Sequence, residues 1–124
     1  MEKILYVDDE LMNLQLFELN FRDNYIVFTT PFPMDAQGII EKEGIKVIIT
    51  DYKMPLLNGM QLIDKVKTAF PNVICLILSG YLESEVVTDK TKVFSYIMKP
   101  YNKATLTACL ENAFSQYSDI LTER

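Results

Sequence analysis

The sequence predicts a three-layer α/β domain, a parallel five-stranded sheet covered by helices on both faces. Short apolar runs alternate with longer amphipathic stretches, five of each, along the whole chain. The runs are apolar at nearly every position, as expected of strands buried on both sides. At 124 residues the chain is long enough to bury a proper core as one domain. Residues 1–124 show no repeat, linker or low-complexity tract, so they read as one unit.

Lys3–Val7 is the first strand and ends abruptly at Asp8-Asp9-Glu10. Residues 11–21 carry apolar side chains at helical spacing, in the sets Leu14, Phe17, Phe21 and Met12, Leu16, Leu19. Residues 25–29 form a second strand, and 34–42 a short helix closed by Gly44. The third strand, 46–50, is dense in Val and Ile and runs into Asp51. A loop follows, Met54-Pro55-Leu56-Leu57-Asn58-Gly59. Residues 60–70 place Leu62, Ile63, Val66 and Phe70 on one helical face, broken by Pro71-Asn72. The fourth strand, 73–78, leads into Ser79-Gly80. Residues 82–92 predict a weak, polar helix with only Val86 and Val87 as strong apolar points. Ser95–Met98 is the last strand, ended by Lys99-Pro100. A closing helix over 104–117 carries Leu106, Leu110, Ala113, Phe114 and Tyr117 on one side. Right-handed crossovers connect such strands almost without exception.

A net charge of -5 argues against direct binding of nucleic acid, which needs a basic face. Histidine is absent, which removes the commonest metal ligand and general base. Cys75 and Cys109 each sit inside an apolar segment and read as buried, reduced thiols. No signal peptide is apparent, nor an apolar run near the roughly 20 residues that span a bilayer. The expectation is a cytoplasmic protein without a membrane segment.

In open parallel sheets every strand delivers its C-terminal residue to one edge, where ligands bind at the switch in strand order. Strand one delivers Asp8 and Asp9, strand three Asp51, strand four Ser79 and strand five Lys99. Singly, each has a plain structural explanation: helix caps for the acids and the serine, a turn for Asp51, a solvated charge for Lys99. Independent surface choices would rarely fill four strand ends so coherently. Carboxylates sharing one pocket repel and raise each other's pKa. A cation and the Lys99 ammonium relieve that. Oxygen ligands without histidine or thiolate suit Mg2+. The whole set suits an aspartyl phosphate: a carboxylate nucleophile, neutralising cations and a hydroxyl donor.

These residues resemble the receiver domain of two-component response regulators, over essentially the entire chain. The resemblance rests on Val7-Asp8-Asp9-Glu10, Thr50-Asp51-Tyr52-Lys53-Met54-Pro55 with Asn58-Gly59, Leu78-Ser79-Gly80, and Tyr96-Ile97-Met98-Lys99-Pro100. It implies a flavodoxin-like (βα)5 fold with strand order 2-1-3-4-5. It implies that Asp51 is the phosphoacceptor, attacking the phosphohistidine of a sensor histidine kinase or phosphotransfer protein. Asp9 would hold Mg2+ directly, Asp8 largely through water, with Asp51 and the Lys53 carbonyl completing the ligands. Lys99 and Ser79 would contact the phosphoryl group, and the Gly80 backbone would approach it. Tyr96 would be the aromatic switch, turning inward as Ser79 moves, with the output face on helix 4, strand 5 and helix 5. The Lys99-Pro100 peptide would be cis. An output domain or partner beyond Arg124, and a homodimer through the last helices, are assemblies this family uses.

The chain also departs from the pattern. Members often carry a Gly-Ala pair before strand five, where this chain has Lys92-Val93-Phe94, so packing there should differ. Lys53 and Tyr81 line the approach to the phosphoryl group and are expected to shield it from water, giving slow self-hydrolysis. A phosphatase with an aspartyl nucleophile would want a second acid two residues later, where Lys53 stands. Flavin binding would want a Ser/Thr/Gly-rich loop in place of Asp8-Asp9-Glu10. A non-phosphorylated interaction module would leave the acid set unused. The expectation is a signalling domain rather than a turnover enzyme.

Overall fold

The computed structural model describes residues 1–122. Its elements are β1 (Lys3–Val7), α1 (Leu11–Phe21), β2 (Ile26–Thr30), α2 (Ala36–Glu43), β3 (Val47–Thr50), α3 (Gly59–Ala69), β4 (Ile74–Ser79), α4 (Glu83–Val86), β5 (Ser95–Met98) and α5 (Lys103–Thr122), with a 3-10 turn, Pro33–Asp35, before α2. All strand pairs are parallel, in the order β2-β1-β3-β4-β5. The chain leaves β1 for β2 on one side and returns to β3 on the other. That reversal opens the crevice between the ends of β1 and β3.

Strand alternation divides the core into two layers. Ile4, Tyr6, Val47, Ile49, Leu76 and Leu78 face Leu14, Phe17 and Phe21 of α1 and Leu106 and Leu110 of α5. Leu5, Val7, Ile48, Cys75 and Ile77 face Ile40 of α2, Leu62, Ile63 and Val66 of α3, and Val86. Of the two apolar sets in α1, only the first is buried; Met12, Leu16 and Leu19 are exposed. Cys75 is buried, Cys109 half-buried, and both are free. Burial pushes the Cys75 thiol up to about 12 against a small opposing pull from Lys67. No helix among the described residues is long and apolar enough to cross a membrane.

The helix expected over residues 82–92 is not formed; α4 is a single turn ending at Val86. Val87 is already extended (φ -85°, ψ 107°), as a β-branched residue readily becomes. Beyond it the Asp89 carboxylate accepts the Thr91 N–H at 3.0 Å and the Thr91 hydroxyl at 2.6 Å. That local turn competes directly with helical hydrogen bonding. Lys92 pairs with Asp64 of α3 at 2.9 Å. At the other end of the chain, α5 runs past the expected Tyr117 to Thr122, and Phe114 stacks on Tyr25 with centroids 5.9 Å apart.

Candidate functional site

Register sets the acids side by side. Val7 pairs with Thr50 across β1 and β3, and the Asp51 N–H donates to the Val7 carbonyl at 2.8 Å. The next residue of each strand is therefore a carboxylate at the same level. One oxygen from each of Asp8, Asp9 and Asp51 lies within 4.8 Å of the others. Asp8 is fully buried, Asp51 half-buried and Asp9 exposed at the mouth. Three hard oxygen donors in a pocket without imidazole or thiolate fit Mg2+.

Lys99 reaches this cluster from the end of β5. Its ammonium lies 3.2 Å from Asp8 Oδ2 and 3.2 Å from Asp51 Oδ1, and its N–H donates to the Ser79 carbonyl at 2.8 Å. The Lys99-Pro100 peptide is cis. Burial pulls the Lys99 pKa down, but Asp51 and Asp8 outweigh it, and the net shift is upward. Asp51 is also shifted upward. Burial is the main cause, Lys99 opposes it, Asp8 adds repulsion, and the Tyr52 N–H, donating at 2.9 Å, opposes again.

Ser79 is fully buried at the end of β4. Its hydroxyl accepts the Tyr81 N–H at 3.1 Å rather than reaching Asp51. The Tyr96 hydroxyl donates to the carbonyl of that same Tyr81, so one residue of the β4–α4 loop is held between Ser79 and Tyr96. The Tyr81 ring, 40% exposed, meets Tyr52 edge-on with centroids 5.9 Å apart. Gly80 adjoins Ser79, and a methyl there would meet open space. Lys53 is exposed, two residues beyond Asp51, and makes no ion pair among the described residues.

Three residues of the site were not singled out from sequence. Tyr6 donates its hydroxyl to Asp8 Oδ2 at 2.7 Å, and Asn13 donates its amide to the same oxygen at 3.1 Å. Positions 6 and 8 share a face because strand side chains alternate, which is the signal that could have found Tyr6. Gly59 opens α3, and any side chain there would overlap the Asp51 carbonyl oxygen. Its N–H donates to the Tyr52 carbonyl at 2.7 Å, drawing the β3–α3 loop against the site. Asn58 and Gln61 cap that helix reciprocally, at 2.8 and 2.9 Å.

The arrangement resembles known proteins throughout. The family model for the response regulator receiver domain matches residues 4–111. The hydrogenase transcriptional regulatory protein HoxA of Bradyrhizobium diazoefficiens is 28% identical over 117 residues, covering 92% of this chain and 24% of that protein. The chain thus spans about a quarter of that longer relative. Sporulation initiation phosphotransferase F of Bacillus subtilis is 25% identical over 104 residues, covering 82% of this chain and 84% of that one. Among solved structures, a response regulator receiver domain protein from Clostridium thermocellum superposes with a TM-score of 0.89 at 29% identity, over 97% of this chain and 99% of that one. The family model covers most of the chain and the fold agrees with the solved structures, so the chain belongs to the response regulator receiver domain family.

Proposed function

We propose that residues 1–124 act as one phosphoacceptor unit of a cytoplasmic two-component relay, with Asp51 as the residue phosphorylated. The carrying observation is the Lys99 ammonium, held equidistant between Asp8 and Asp51 beside a third carboxylate. The donor is the phosphohistidine of a sensor histidine kinase or phosphotransfer protein. An Asp51 carboxylate oxygen forms the new bond to phosphorus while the phosphorus–nitrogen bond breaks. The electron pair stays on the departing imidazole nitrogen, which takes up a proton from water.

Asp9, Asp51 and the Lys53 carbonyl would hold Mg2+ directly, and Asp8 through water. Bound there, Mg2+ neutralises charge on the phosphoryl oxygens. Lys99 moves its ion pair from the Asp51 carboxylate to a phosphoryl oxygen. Ser79 turns its hydroxyl to another, and the Gly80 backbone lies alongside. Releasing the Tyr81 N–H frees the β4–α4 loop, and Tyr96 follows it. The face formed by α4, β5 and α5 then carries the signal to an output domain or partner. Turnover of substrate is no part of this role.

Treatment with acetyl phosphate and Mg2+ tests the reading. One phosphoryl group should appear by mass spectrometry on Asp51 and none on the D51N variant. Incorporation elsewhere, or none in the wild type, rejects it. Beryllofluoride with Mg2+ should also shift the amide resonances of the β4–α4 loop, which a passive interaction module would not do.

A further inference from the structure

Asp8 Oδ2 is crowded to a degree that the phosphoacceptor role does not by itself explain. It accepts from the Tyr6 hydroxyl at 2.7 Å, from the Asn13 amide at 3.1 Å and from the Lys99 ammonium at 3.2 Å. Asp8 Oδ1 accepts the Glu10 N–H at 3.0 Å. Oδ2 is therefore saturated, and only Oδ1 keeps a lone pair to offer toward a hydrated cation. Tyr6 is buried between Ile4 and the α1 core, its ring stacked on Phe17 with centroids 4.3 Å apart. A phenylalanine would fill that space and keep that stacking. What the phenol adds is one donor, aimed at Asp8.

We propose that Tyr6, seconded by Asn13, is a positioning residue for the metal and phosphoryl site: it fixes the Asp8 carboxylate so that Oδ1 faces the cation and Lys99 can leave. Lys99 is shared by Asp8 and Asp51, so a phosphoryl group on Asp51 competes with Asp8 for one ammonium. A fully buried carboxylate left by that ammonium would resist the transfer. The two remaining donors keep Oδ2 supplied when Lys99 swings away. Partners that orient a metal-site carboxylate from outside typically change metal affinity by about 10–100-fold when removed. This inference rests on the reading of Asp8, Asp9 and Asp51 as a Mg2+ site.

Calorimetric Mg2+ titration of the 124-residue chain, without any phosphodonor, tests it. Tyr6→Phe should weaken Mg2+ binding roughly tenfold, and Asn13→Ala should weaken it by a smaller factor. In an Asp8→Ala background, Tyr6→Phe should cause no further loss, because its target is gone. A merely structural phenol would lower the melting temperature without this dependence on Asp8. Mg2+ affinity of Y6F within about twofold of wild type, or an equal loss in both backgrounds, overturns the proposal. If Y6F does not melt cooperatively, N13A on the α1 surface decides in its place. A loss of affinity that disappears in the Asp8→Ala background supports the clamp, and unchanged binding overturns it. A wild-type chain that fails to bind Mg2+ brings down the metal-site reading, and this one with it. Normal wild-type binding beside an unaltered Y6F overturns the clamp alone.

Discussion

Lys99 Nζ stands 3.2 Å from Asp51 Oδ1, yet the pair leaves Asp51 with a raised pKa because burial outweighs the attraction. The folded state therefore binds this proton more tightly than the unfolded chain, whose aspartate keeps the ordinary value of 3.8. The stabilising effect of protonation is complete below that value and is lost as pH rises through the raised folded pKa. At neutral pH the ionised Asp51 is a net cost. D51N keeps a side-chain oxygen for the Tyr52 N–H and removes the repulsion with Asp8, so it should be more stable than wild type by about 1 kcal/mol. Urea melts across pH would read the advantage of D51N growing from acid to neutral. A flat or reversed difference would contradict the electrostatic account.

Tyr81 couples Ser79 to Tyr96 through its own peptide groups. Ser79→Ala removes the acceptor for the Tyr81 N–H, and Tyr96→Phe removes the donor to its carbonyl. Neither touches Asp51, so both variants should still take up a phosphoryl group. Both should lose the response beyond it: beryllofluoride-induced amide shifts in residues 81–98 should fall by about half or more, as expected when a switch loses one of its two holds. Full-sized shifts in Y96F would remove Tyr96 from the switch.

Most of the fold was legible because two-faced burial leaves an unmistakable record in β1, β3 and β4, where almost every residue is apolar. The acid cluster was legible for a related reason: strand ends meet at one edge whatever fills the layers. Residues 82–92 were not, because their two valines suggest a helix while the Asp89–Thr91 turn prevents one, and such local competition has no periodicity. Gly59 was quoted for its motif without a role. The reason is three-dimensional: the Asp51 carbonyl occupies the space where its side chain would go. Tyr6 sits in an apolar strand that gives its hydroxyl no evident role, which emerges from the bond to the fully buried Asp8.

Leu56 takes a left-handed conformation (φ 72°) while 94% exposed, in the loop after Asp51. A branched side chain there costs about 1 kcal/mol, and asparagine tolerates the conformation better. With almost no packing to lose, Leu56→Asn should stabilise the protein by about 0.5–1 kcal/mol. Thermal melts would show it directly. A fall in stability would mean that Leu56 is held by contacts its exposure does not suggest.

Lys53 is an exposed cation two residues beyond Asp51, and the Tyr81 ring is set edge-on against Tyr52, the residue after Asp51. Hydrolysis of an aspartyl phosphate needs a water in line with the phosphorus–oxygen bond, so side chains over that approach slow it by exclusion. Neither residue bonds to Asp51, Asp8 or Lys99, and replacing both with alanine should leave phosphorylation itself intact. The double variant should lose its phosphoryl group about tenfold faster, equal to about 1.4 kcal/mol of barrier. Single variants would apportion the effect, the ring accounting for most of it because its position is braced while the lysine side chain is solvated. Timing phosphate release after removal of the donor reads the rate. An unchanged lifetime in the double variant would mean that water reaches the phosphorus by a route these two side chains do not cover.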